Sequence, residues 1–206
     1  MRSNSIWTTE EPARGLRRSP RESVTVRELA LNYYAGETVD DAAAVGRDLA
    51  GKGLRLGFTY LDQDLETDAL LRLLAVTKRL NVTDEVELTV LPDQLGLHDG
   101  VGRASDKLAE FCQVAAEGGA VVTLGGADYS TYASVLELHQ VTRELHPDLG
   151  ITLPADIKRT ERDLHSLARA AARVRIGIGA DPAPSRIGYR KEHDKSLALV
   201  RCLRIL

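Results

Sequence analysis

Aspartates recur just beyond short apolar runs in this chain: Asp62, Asp93, Asp128, Asp156 and Asp181. Carboxylates gathered at one end of a sheet offer the oxygen ligands that a divalent cation takes. Aspartate also caps the helix that follows a strand, which accounts for the same residues without an ion, and no metal is expected. Gly125-Gly126 and Gly177-Ile178-Gly179 stand at similar places. Backbone N–H groups there can cradle a phosphate. Neither stretch is a G-x-G-x-x-G or a P-loop, so tight strand-to-helix turns are the simpler reading. Arg175 lies inside an apolar run between Val174 and Ile176, so alternation points it into a barrel, where it could meet an anion. The competing role for Arg175 is an ion pair with Asp128 or Asp156 across the sheet. His98, His139, His146, His165 and His193 have no ligand spacing and read as surface residues. Cys112 and Cys202 sit in apolar helical patterns and read as buried free thiols, which implies a reducing cytoplasm.

The elements that must position these residues alternate. Thr38 and Asp41 offer a capping-box start to a helix that ends at Gly51-Lys52-Gly53. Runs at 54–60, 86–91, 120–124, 150–153 and 174–178 read as strands. Helical spacing over 65–80, 105–117, 132–145, 160–172 and 191–206 places a helix after each strand. About five βα units of this kind predict an α/β fold with parallel strands, either an open doubly wound sheet or part of a (βα)8 TIM-type barrel. In both, chemistry is expected at the C-terminal strand ends.

Composition narrows the partners. The 206 residues are 43% hydrophobic and 28% charged with a net charge of -3, which gives no footprint for nucleic acid. No stretch approaches the ~20 apolar residues of a membrane span. Residues 1–22 mix arginine, serine and acidic residues, have no apolar signal core, and read as a disordered lead-in to a domain over 23–206.

Six segments in order resemble the monofunctional bacterial proline dehydrogenases. They are GETVDDA at 36–42, LPDQLGL at 91–97, VVTLGGAD at 121–128, ADIKRTERD at 155–163, RVRIGIGADPAPS at 173–185, and DKSLALVRCLRIL at 194–206. The resemblance favours the partial (βα)8 barrel and implies FAD over the strand ends. It also implies oxidation of L-proline, or a related imino acid, to pyrroline-5-carboxylate, with electrons passed to a membrane quinone. Such chemistry needs cations for the substrate carboxylate, donors for the flavin and a dry pocket.

Carried across position by position, much of that equipment has changed. The family's substrate-neutralising lysine falls at Leu91 and its strand-end aspartate at Gly125. The flavin-contacting methionine falls at Gly126, and the flavin-bonding glutamine at Pro154, which has no N–H. The lysine of its KGAY motif falls at Ile178 and the tyrosine at Asp181. Arg175, Gly179 and Ala180 match the family and are the positions left to meet a flavin. The paired arginines of the family's final helix would lie beyond residue 206. The resemblance therefore implies a proline-dehydrogenase-like protein with lost or severely reduced activity. The alternatives are a binding or assembly protein that pairs its open barrel edge with itself or with a completing partner, or a fragment without an independent role.

Overall fold

A computed structural model describes residues 34–36, 38–61, 66–80, 86–179 and 183–206. The lead-in at 1–22 and the positions Asp62, Ala180 and Asp181 lie outside the described residues. Six helices and five strands alternate among those described: α1 Val39–Gly51, β1 Leu56–Thr59, α2 Glu66–Leu80, β2 Val86–Val90, α3 Val101–Glu117, β3 Ala120–Leu124, α4 Tyr132–Arg143, β4 Gly150–Pro154, α5 Thr160–Arg169, β5 Val174–Gly177 and α6 Glu192–Leu203. The strands are parallel and form one sheet in chain order, β1-β2-β3-β4-β5, which is the strand order of part of a TIM-type barrel. A doubly wound sheet would show a reversal in that order. It shows none.

The chain divides into two compact units, residues 1–86 and 87–206. In the first, α1 starts as its sequence requires. The Thr38 hydroxyl accepts the Asp41 N–H at 3.1 Å, and the Asp41 carboxylate accepts the Thr38 N–H at 3.1 Å. Two of the N–H groups left without partners at a helix start are thereby satisfied. α1 is tied to α2 through the Arg47 guanidinium, which donates to the Arg79 carbonyl at 2.8 Å, and through an Arg79–Asp40 ion pair.

In the second unit, alternation along each strand sorts residues onto two faces. Leu88, Val90, Leu124, Ile151 and Leu153 are each fully shielded from water. Burying such a side chain contributes roughly 1.5–3 kcal/mol, so this face carries most of the stabilisation. Leu108 on α3, Val135 and Leu138 on α4, Leu164 on α5 and Ala198 on α6 are equally shielded. The register pairs Thr123 with Gly150, Thr152 with Arg175 and Pro154 with Gly177, which puts the polar residues together on the other face. Between β2 and α3 the chain makes two 3-10 turns, Pro92–Leu95 and Leu97–Asp99. They bury Leu95 and Leu97, and the Gln94 amide oxygen accepts the Leu91 N–H at 2.9 Å. α3 begins at Val101, a turn earlier than its periodicity predicts. Gly102 blurs the pattern there, although Ala104 is already buried.

One histidine departs from its expected surface position. His139 is fully buried on α4, where it continues the stripe of Val135, Leu138 and Thr142. Its Nε2 lies 3.1 Å from the Leu149 carbonyl oxygen. A carbonyl can only accept, so Nε2 carries the proton. Nδ1 is buried with no partner, and burial pushes the pKa of the imidazole below its ordinary value. Cys112 and Cys202 are buried free thiols as expected.

Candidate ligand cleft at the strand ends

The C-terminal ends of β3, β4 and β5 enclose a cleft of about 330 Å³. Its walls include Gly126, Asp128 and Tyr129 after β3, Thr152, Pro154 and Asp156 on and after β4, and Gly177, Ile178 and Gly179 at the end of β5. Four positions expected at a site therefore come together here: Gly126, Pro154, Ile178 and Gly179. Ala180 lies outside the described residues. Leu91 and Gly125 border the cleft without lining it.

Gly125 and Gly126 turn the chain out of β3, and each is held to glycine for its own reason. A Cβ at Gly125 would sit 2.7 Å from Thr89 Cγ2 and 3.8 Å from Leu91 Cδ2. A side chain at position 125 thus meets the polar face of β2. Gly126 has φ of 73°, in the left-handed region where side chains are strained, and a Cβ there would approach Leu91 Cδ2 at 3.2 Å. The turn reading of this glycine pair is the one the geometry supports.

Arg175 does reach across the polar face, as its alternation predicts, but not toward Asp128 or Asp156. Its Nη2 lies 2.6 Å from Glu87 Oε1, and its Nη1 donates to Thr89 Oγ1 at 3.2 Å. Glu87 sits at the start of β2, two residues before Thr89, and is what the sequence reading overlooked. The pairing holds the guanidinium at the level of β2, and Arg175 is not among the residues that line the cleft.

Two carboxylates face the cleft instead. Asp128 is absorbed by its own loop: Oδ1 accepts the N–H of Ser130 at 2.8 Å, and the N–H and hydroxyl of Thr131, both at 2.7 Å. Burial pushes this carboxyl up, but the hydrogen bonds from Thr131 and Ser130 outweigh it and hold the group below the ordinary carboxylate range. Asp128 thus closes the turn ahead of α4, whose own N-cap, Thr131, makes no side-chain capping bond. Asp156 is 1% exposed. Its Oδ1 accepts the Gly179 N–H at 2.7 Å, and its backbone carbonyl accepts the Tyr189 N–H at 2.8 Å. One residue thus fastens both the end of β5 and the loop before α6. Thr152 Oγ1 is buried in the cleft wall with no partner. Its signal in the sequence is slight: a hydroxyl on the polar phase of the run at 150–154.

Among the described residues no group of three or more His, Cys, Asp or Glu side chains could hold a metal ion. Asp93, Asp128 and Asp156 therefore do not form the cation ring considered for the strand ends.

No family model matches the sequence, and no curated protein matches it. Among solved structures the chain is similar to proline utilization A (PutA) from Bdellovibrio bacteriovorus inactivated by N-propargylglycine, with a TM-score of 0.66 and 14% identity. The two share the partial TIM-type barrel. The match covers 88% of this chain and 25% of that one, so this chain spans about a quarter of its length. At this identity the likeness is one of fold.

The residues present do not fit the flavin that the resemblance implies. A flavin dinucleotide carries a pyrophosphate, and no lysine or arginine is among the residues lining the cleft, whereas Asp128 and Asp156 are. Pro154 supplies no donor, and its carbonyl already accepts the Thr160 hydroxyl at 2.8 Å. Ile178 presents an apolar side chain, 43% exposed, where the resembling family has a lysine. The cleft can accept hydrogen bonds and favour positive charge. Among the described lining residues there is no cation to grip a carboxylate.

Proposed function

We propose that this chain is a proline-dehydrogenase-like protein that has kept the fold and lost the oxidation of proline. The observation that carries the reading is the charge at the strand ends. The lysine, aspartate and glutamine positions hold Leu91, Gly125 and Pro154, the surviving Arg175 is bound to Glu87, and the cleft is lined by carboxylates. Removing one partner of a buried charged pair typically costs about 2–5 kcal/mol of binding, so a substrate carboxylate would find little here. The test is the absorbance spectrum of the purified chain with and without added FAD, together with proline-dependent dye reduction. The expected result is no protein-bound flavin band near ~450 nm and no turnover above the buffer blank. Saturable oxidation of proline by the isolated chain would refute it.

A second reading, a self-associating assembly protein, is favoured by a separate observation. β5 stands at the end of the strand order, and Leu197, Val200 and Leu203 of α6 are 45%, 45% and 57% exposed. An edge strand with exposed apolar neighbours invites pairing. Light scattering across a hundred-fold range of concentration tests it, and a monomer throughout rejects it.

A further inference from the structure

The cleft that holds no flavin in the reading above still has a definite chemical preference. Asp156 is almost wholly buried, and only one of its two carboxylate oxygens is engaged, by the Gly179 N–H. Among the described residues nothing donates to Oδ2. Thr152 Oγ1 lines the same cleft, is buried and also lacks a partner. The Thr152 hydroxyl, buried without a partner, carries a desolvation cost, and a ligand that bonds to it while meeting the open Asp156 oxygen relieves that cost. Asp128 adds negative charge at the mouth, while its own oxygens are occupied by Ser130 and Thr131. Leu153, Ile157 and Ile178 supply apolar wall.

We propose that this cleft binds a small organic ammonium ion with a short hydrocarbon body, its N–H groups donating to Asp156 Oδ2 and Thr152 Oγ1. A charge-assisted bond to a shielded carboxylate is the strong kind of hydrogen bond, and the apolar wall accommodates the carbon skeleton. A divalent cation fits less well, because it takes six or more oxygen ligands and only Asp156 has a carboxylate oxygen to offer. An anion or a zwitterion is disfavoured by the two carboxylates. The inference rests on the reading that the cleft holds no flavin.

Isothermal titration calorimetry on the full chain tests it, with pyrrolidinium chloride as probe. L-proline, sodium propionate and magnesium chloride at matched ionic strength serve as comparisons. Saturable binding of pyrrolidinium is expected, tighter than that of L-proline, with none for propionate. Asp156→Asn keeps an acceptor for the Gly179 N–H but removes the charge, and should weaken pyrrolidinium binding at least about ten-fold. Thr152→Val, milder for the fold, should weaken it about three-fold or more by removing one acceptor, and it carries the test if Asp156→Asn fails to fold. Absence of saturable heat with pyrrolidinium overturns the inference. So does unchanged affinity in either folded variant, or tighter binding of magnesium or proline. Flavin binding or proline turnover would instead sink the functional reading itself, so the two failures are told apart.

Discussion

Replacing Gly125 with alanine tests whether the turn after β3 excludes side chains for the reason given above. The added Cβ would lie 2.7 Å from Thr89 Cγ2, closer than two carbons can pack. Overpacking of this kind typically costs about 1–3 kcal/mol. Against it stands a gain of roughly 0.4–1 kcal/mol, because alanine has less freedom than glycine in the unfolded chain. The net expectation is a loss of about 0.5–2 kcal/mol. The colliding atom is one methyl, so Thr89→Ser removes it while keeping the hydroxyl that accepts from Arg175 Nη1 at 3.2 Å. Alone, Thr89→Ser should cost about 0.8 kcal/mol for one buried methyl. In its presence Gly125→Ala should become neutral or stabilising, which gives a coupling of about 1 kcal/mol or more in the double-mutant cycle. Urea denaturation followed by far-UV circular dichroism supplies the four free energies. If Gly125→Ala matches the wild type, or if the two substitutions add to within about 0.3 kcal/mol, the steric account is wrong. If it holds, Leu91→Lys with Gly125→Asp will not bring back proline oxidation, since the aspartate has no room.

His139 makes stability depend on pH. Its folded pKa lies below the unfolded value near 6.5, so the unfolded chain binds more protons in that interval. Stability is therefore full above about pH 6.5 and falls as pH drops toward the lowered folded pKa, and His139→Leu should flatten that slope in melts between pH 7.5 and 5. Asp128→Ala should cost about 0.5–2 kcal/mol by freeing the N–H groups of Ser130 and Thr131, with a loss of thermal midpoint as the readout. The carboxyl of Asp128 is held low in the fold, so its contribution is present above the ordinary carboxylate pKa and disappears as pH falls through the depressed one. The Arg175–Glu87 pair is partly exposed, with side chains 46% and 26% accessible, so a double-mutant cycle should return no more than about 1 kcal/mol, diminishing with added salt. Burial pushes the Cys112 thiol up to about 12, so iodoacetamide at pH 8 should modify it only on unfolding, and rapid labelling of the native chain would contradict its placement.

The order of elements was legible because each rests on a local signal. Thr38 and Asp41 announce α1, glycines stop α3 and β3, and apolar runs of strand length mark β2 to β5. The 3-10 turns between β2 and α3 were not legible, because Pro92-Asp93-Gln94-Leu95 has no period of its own and is held by the burial of Leu95 and by Gln94 reaching back to Leu91. His139 was misplaced because a polar residue type outweighed its position, although Val135, Leu138 and Thr142 mark the stripe it belongs to. At the site, alternation put Arg175 on the correct face but could not choose its partner. Glu87 lies 88 positions away in the chain, and only the strand register decides the pairing.

The two faces of the sheet separate what holds the fold from what lines the cleft. Leu88, Val90, Leu124, Ile151 and Leu153 stand on one face, and their burial is what the parallel strands and covering helices need. The other face bears Thr89, Thr123, Thr152, Arg175 and the strand ends. Leu91 and Pro154, where the resembling family has lysine and glutamine, stand at those ends. Arg175 finds its counter-charge in Glu87, so that guanidinium needs no bound anion. This chain shares its fold with a structural neighbour at a TM-score of 0.66 and 14% identity, and carries carboxylates at the mouth of its cleft. The fold is held on one side of the sheet, and the residues that would set its chemistry stand on the other.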